Sequence, residues 1–153
     1  MRSFSLLASL VLAASLVAAS PLEKRQLNSW CIIPTNIAAC LAAYSHANVA
    51  RISAIENFPQ STLIGGIGDA YRHCYWSARM TIDFGATKAN QIGDRYEDEG
   101  GNEPEDKAMD LANNAVGRSV GLGATGADKE AKYSSADATC TQMANNNLLT
   151  TIR

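Results

Sequence analysis

Four side chains suited to chemistry share one face of a predicted helix in the stretch GDAYRHCYWSARM, residues 68–80. Positions 69, 72, 73 and 76 are spaced i, i+3, i+4 and i+7, which places them on one helical stripe. Asp69 can orient the His73 imidazole and raise the basicity of its far nitrogen. Arg72 can hold an anionic group, and Trp76 offers a flat apolar wall. Taken singly, each residue is also typical of capping, ion pairing or core packing.

Two further predicted helices carry polar residues at helical spacing. Glu97 follows Asn90 and Gly93 on one face, and Asp110 is followed by Asn113 and Asn114 on another. Buried polar groups need hydrogen-bonding partners. We therefore expect the three stripes to face one another across a shared cleft, although each stripe facing water is the alternative.

This set of residues predicts a hydrolase. His73 would act as general base on water, oriented by Asp69, and Arg72 would stabilise the developing negative charge. Glu97 would be the partner acid. The substrate-binding residues would be Trp76, Asp110, Asn113 and Asn114. No cofactor is predicted, and a divalent metal at the Glu97/Asp110 cleft stays open. The alternative is a non-catalytic interaction protein in which the stripes form a structural hydrogen-bond network.

The motifs in this region resemble those of an uncharacterised domain family of secreted bacterial and fungal proteins. They are DAYRHCYW, then YE at 96–97, then MDLANNAVG, and the resemblance covers about residues 65–121. It implies an α-helical domain with a shared polar cleft, and no established reaction. The sequence differs where Tyr96 replaces an expected histidine, which argues against a two-histidine metal site.

Two weaker similarities point elsewhere. GGIGD followed by HC is similar to the calcium loop and active-site helix of secreted phospholipases A2, which is a further alternative for the function. Those enzymes need Asp directly after the catalytic His, and Cys74 stands there. The glycines of GLGATG, residues 121–126, match a dinucleotide fingerprint, but no strand precedes them. The other histidine, His46, is predicted to be a helix-surface residue.

The N-terminal region predicts secretion. Residues 1–19 have a basic start, an apolar segment and a small-residue cleavage site, as a signal peptide does. Residues 20–25 resemble a pro-segment that ends in the dibasic pair Lys24–Arg25. A single helical domain, residues 26–153, would remain. We expect a small extracellular protein of fungal type, effector- or toxin-like, with an extracellular or host target as partner.

Four cysteines lie in the mature segment, at positions 31, 40, 74 and 140. An even number in a secreted protein predicts two disulfides. Three connectivities are open, and Cys31, Cys40, Cys74 and Cys140 cannot be paired from sequence alone. Zinc is the alternative, but the sequence has no C-x-x-C pair to hold it.

Composition and periodicity predict an all-α fold, a compact bundle of about five short helices. The expected helices cover residues 34–58, 69–84, 86–97, 104–121 and 134–149. The chain has 13 Lys+Arg and 15 Asp+Glu, and the first 25 residues hold three of the basic and one of the acidic ones, so the mature net charge is −4. This acidity argues against a nucleic-acid partner. No second apolar run is long enough for an integral membrane segment.

Overall fold

A computed structural model describes residues 30–153 of the chain. The predicted signal peptide, pro-segment and mature N-terminus lie outside these residues. The described part contains helices and no strand, which confirms the predicted all-α class. Its elements are α1 (Pro34–Asn57), a 3₁₀ turn (Gln60–Thr62), α2 (Ile67–Phe84), α3 (Ala86–Glu99), α4 (Pro104–Gly123) and α5 (Lys129–Asn145).

Helix α2 is the central element of the bundle. It packs against all four other helices, and most extensively against α4. Residues all round it are fully buried, among them Ala70, Tyr71 and Met80. A helix buried on every side needs polar residues that find partners inside the protein. The stripe at 69, 72, 73 and 76 therefore faces neighbouring helices.

Two predicted helix starts are wrong by a few residues. Helix α2 begins at Ile67 with Gly66 as its N-cap, so Asp69 lies in the first turn and is not the cap. Its Oδ2 instead accepts a hydrogen bond from the backbone N–H of Gly65 at 2.8 Å. Helix α5 begins at Lys129 and not near Ser134. Asp128 caps it by accepting from the N–H of Ala131, because a carboxylate satisfies a free donor of the first turn.

Helix α1 carries large apolar residues at helical spacing, and several of them lie on its solvent side. Leu41 is 62% exposed, and Ile52 and Ile55 are each 48% exposed. The buried face carries small residues, including Ala43 and Ala50. Small side chains let the backbone of α1 approach α2 closely, and larger residues on this face would hold the helices apart. Within residues 30–153, no helix combines the length and the apolarity that a membrane span requires.

Two disulfides connect the four cysteines. Cys31 is bonded to Cys40, which ties the segment before α1 to the second turn of that helix. Cys74 is bonded to Cys140, which joins the centre of α2 to α5. The prediction of two disulfides is confirmed, and the structure selects this connectivity among the three.

His46 is buried, so its prediction as a surface residue is wrong. Arg79 donates to its Nδ1 at 3.1 Å, and its Nε2 lies 2.9 Å from an Asp83 carboxylate oxygen. Because Arg can only donate, Nδ1 accepts. Nε2 therefore carries the hydrogen and donates a hydrogen bond to the Asp83 carboxylate. Burial lowers the pKa of His46, against the opposing effect of Asp83. Its hydrogen bonds to Arg79 and Asp83 give His46 a structural role.

Asp83 should make stability depend on pH. Burial raises its pKa, but hydrogen bonds from Tyr133, Lys129 and His46 together outweigh burial and hold the pKa below its usual 3.8. The carboxylate thus stabilises the fold above about pH 4, and this contribution is lost as the pH falls through the folded-state pKa. We expect Asp83→Asn to lower the free energy of unfolding by about 1–3 kcal/mol at pH 7. Urea denaturation from pH 7 to pH 3 should show the difference from wild type closing below about pH 4.

Asp98→Asn is the control for that series. Asp98 is exposed, and among residues 30–153 its ion pair is with Lys107 on the surface, so its replacement should change stability by less than about 0.5 kcal/mol at every pH. A deficit of Asp83→Asn that stays constant down to pH 3 would contradict the assignment.

Candidate functional site

Three elements bring the predicted polar stripes together around His73. Helix α2 supplies His73, α3 supplies Glu97, and α4 supplies Asp110. His73 Nε2 lies 3.1 Å from Asp110 Oδ1, and His73 Nδ1 lies 3.7 Å from Glu97 Oε1. The side chains of all three are buried. The expected convergence of the stripes is therefore present in the structure.

Arg72 and Asp69 form the outer part of the same cluster. Arg72 Nε donates to Asp69 Oδ1 at 3.0 Å, and Arg72 Nη2 makes a short contact with the same oxygen. Burial lowers the pKa of Arg72, but the charge and hydrogen bond of Asp69, together with the charges of Tyr96 and Asp110, outweigh burial and raise the pKa overall. The guanidinium is thus fixed as a cation beside the imidazole.

The contacts of His73 define its tautomer. Arg72 Nη2 lies 2.7 Å from His73 Nε2. Because a guanidinium has no acceptor atom, Nε2 is the accepting nitrogen and a neutral imidazole carries its proton on Nδ1, on the side of Glu97. Nε2 is then the basic atom of the ring, and it faces Arg72, Asp69 and Asp110.

Asn102, in the turn between α3 and α4, connects two carboxylates. Its amide nitrogen donates to Glu97 Oε2 at 3.1 Å and is 3.3 Å from Asp110 Oδ2. Burial, reinforced by the negative charges of Glu97 and Asp69, raises the pKa of Asp110 to about 8. The carboxylates of Glu97 and Asp69 thus disfavour a further negative charge on Asp110. Sequence reasoning missed Asn102 because it lies in a polar turn where one more Asn carries no signal.

A small pocket borders this cluster. Its cavity volume is about 10 Å³, and it is lined by Ala47, Arg72, His73, Trp76 and Tyr96; a cavity of this size holds about one water molecule. The Trp76 indole is held by donation to the Ala43 carbonyl at 2.9 Å and packs edge-on against Tyr96. The pocket thus has aromatic walls, with Arg72 and His73 among its lining residues.

The two asparagines of α4 have different roles. Asn113 donates to the Thr150 carbonyl at 2.8 Å and accepts from the Thr150 N–H at 2.9 Å. Both of its amide atoms therefore hold the C-terminal segment, which is a structural task. Asn114 is fully buried, and neither of its amide atoms forms a hydrogen bond with the described residues. Neither asparagine lines the pocket beside His73.

A family model described as "Domain of unknown function (DUF6973)" matches residues 30–147. The chain belongs to this family. The expectation of an uncharacterised domain family is thereby confirmed, and the DUF6973 match contains the whole cluster from Asp69 to Asp110. No solved structure matches the chain.

Proposed function

We propose that the protein is a secreted, effector- or toxin-like hydrolase that acts on a small substrate with an anionic group. The observation that carries this proposal is that His73 and Arg72 line the same pocket, with the accepting nitrogen of His73 turned toward the guanidinium. An unprotonated imidazole beside a fixed cation can activate water next to a bound anion. The leader pattern and the two disulfides support secretion.

Each residue of the cluster then has a role. Nε2 of His73 is the basic atom at which water is activated, and Asp69 holds Arg72 in place next to it. Glu97 lies on the Nδ1 side, where a carboxylate favours the imidazolium that forms when Nε2 takes a proton. Arg72 binds the anionic group of the substrate. The aromatic walls formed by Trp76 and Tyr96 suit a flat or apolar portion of the same molecule.

We also propose that the D-A-x-R-H-x-x-W and M-D-x-x-N-N-x-x-G patterns mark this site in secreted bacterial and fungal members of the family. Both patterns place their polar residues on the helix faces that meet at His73. A family member that folds alike but lacks the histidine of the first pattern should lack the activity.

The two histidines of the chain provide a matched test. Wild type, His73→Gln and His46→Gln would be assayed on chromogenic carboxylic esters, phosphomonoesters, phosphodiesters, glycosides and amides. We expect His73→Gln to lose at least about 100-fold in kcat/KM, because it removes the base, with little change in Tm. His46→Gln should lower Tm and leave the activity per folded molecule unchanged. Equal loss in both variants, or no hydrolysis by wild type of any substrate, would contradict the proposal.

Two alternatives have support of their own. A non-catalytic interaction protein is favoured by the low exposure of His73, which is 2%, and it predicts that His73→Gln changes only stability. A phospholipase A2-like activity is favoured by the exposed apolar face of α1, which suits contact with a lipid surface. Phospholipid vesicles therefore belong in the substrate panel.

A further inference from the structure

Three potential metal-ligand atoms converge in the cluster around His73. Asp69, His73 and Asp110 each offer one atom, and these atoms all lie within 4.8 Å of one another. His73 Nε2 is 3.1 Å from Asp110 Oδ1 and 3.7 Å from Asp69 Oδ1. A first-row cation bonds such atoms at about 2.0–2.2 Å, so two ligand atoms of one ion can be up to about 4.4 Å apart. Both distances from His73 Nε2 lie within this limit. Asp69 and His73 are one helical turn apart on α2, which fixes their relative position.

Asp110 provides an independent observation that points into this space. Its side chain is 7% exposed, and its Oδ1 forms no hydrogen bond with the described residues, whereas Oδ2 is next to Asn102. Because Nε2 of His73 accepts from Arg72, Oδ1 faces another lone pair at 3.1 Å. Two acceptors at that distance repel unless a cation or a proton lies between them.

Arg72 already places positive charge in this space. Its Nη2 contacts both Asp69 Oδ1 and His73 Nε2, which are two of the three converging atoms. The side chain is 20% exposed and is one of the residues that line the pocket. The third converging atom, Asp110 Oδ1, forms no hydrogen bond with the guanidinium.

We infer that Asp69, His73 and Asp110 bind one divalent transition-metal cation, and that the Arg72 guanidinium competes for the same position. One nitrogen and two carboxylate oxygens suit Zn²⁺ or Mn²⁺, whereas Ca²⁺ requires six or more oxygen ligands. Glu97, on the Nδ1 side of His73, supplies the carboxylate that commonly supports a metal-bound histidine. Displaced from the cluster, Arg72 would face the pocket, where it can hold an anionic substrate.

The inference rests on the proposed function in one respect. The same Nε2 would act on water through the bound cation and would no longer take the proton itself. The two proposals fail separately. Hydrolysis that depends on His73 and survives EDTA would contradict a role of the cation in the reaction, and the hydrolase proposal would stand. Cation binding without any hydrolysis would contradict the hydrolase proposal, and the cation site would stand.

The test is calorimetric titration of chelator-treated protein with Zn²⁺ and with Mn²⁺, and the visible spectrum of the Co²⁺ form reports a bound nitrogen ligand. We expect saturable 1:1 binding. Affinity should fall at least tenfold in Asp110→Asn and in His73→Gln, and about tenfold in Glu97→Gln. Glu99→Gln, an exposed change on the same helix, should bind as wild type does.

Arg72→Met separates this inference from a merely structural role of the cluster. Removing the competing guanidinium should tighten cation binding by about tenfold or more, and circular dichroism would verify that each variant folds. The inference is overturned if wild type shows no saturable binding of any of the three cations. It is also overturned if Asp110→Asn and His73→Gln bind as tightly as wild type, or if Arg72→Met weakens binding.

Discussion

Gly117→Ala is expected to lower the free energy of unfolding by about 3 kcal/mol or more, the upper end of the cost of overpacking. A Cβ atom at position 117 would lie 2.2 Å from the backbone carbonyl oxygen of Cys74 and 2.9 Å from Cys74 C. These are backbone atoms of α2, so no side-chain rotation can relieve the clash, and α2 and α4 must separate. The melting temperature should fall by roughly 10 °C, measured by circular dichroism.

Gly123→Ala is the matched control, because it lies in the same helix and a Cβ there meets nothing within 4 Å. Its stability should remain within about 0.5 kcal/mol of wild type. If Gly117→Ala were as stable as this control, the close approach of α2 and α4 would be wrong. Moving α4 away from α2 also moves Asp110 away from His73. Cation affinity and activity should then fall together in the Gly117→Ala variant, including at temperatures where it is fully folded.

The convergence of the site could be predicted because charge is hard to bury alone. A stripe with Asp69 and His73 on a helix surrounded by other helices requires partners, and only α3 and α4 carried matching stripes. Because of this cost, Glu97 and Asp110 could be predicted from the sequence as partners of His73. Local signals also predicted some helix ends, such as Pro104 at the first turn of α4.

Other features depend on contacts that have no local signal. The orientation of α1 follows from how closely α2 can approach its alanines, whereas periodicity alone placed Leu41 and Ile52 on one face without saying which side that face takes. Asn102 reaches the site only because the α3–α4 turn folds back over Glu97. Asn113 and Asn114 are adjacent in sequence, and their roles differ because the C-terminal segment passes one of them.

The buried carboxylates are costly for the stability of the fold. Three of them, Asp69, Glu97 and Asp110, lie around one imidazole with a single guanidinium nearby. A core of this size would be more stable with apolar residues there. Helix α2, which carries half of the cluster, therefore needs stabilisation from other contacts. The Cys74–Cys140 disulfide to α5 provides part of it.

Loss of the Cys74–Cys140 bond should be the largest single loss of stability among changes outside the site. The two residues are 66 positions apart, and a loop of that length corresponds to about 4 kcal/mol of unfolded-state entropy in the chain-entropy view. The Cys31–Cys40 bond spans only 9 positions, so it should contribute about 2.5–3 kcal/mol. Both sulfurs of the longer bridge are also fully buried, which adds a packing loss when they are replaced by alanine.

The measurement compares urea denaturation of Cys74→Ala/Cys140→Ala with Cys31→Ala/Cys40→Ala, each a double variant without free thiols. The first should be the less stable by about 1–2 kcal/mol, since the loop it opens is longer. Because Cys74 follows His73 directly, the first variant should also bind Zn²⁺ more weakly, whereas the second should bind as wild type does. Equal stabilities would mean that the bridges act through native contacts and not through the unfolded chain. Unchanged Zn²⁺ binding in the first variant would mean that packing alone holds His73 in place.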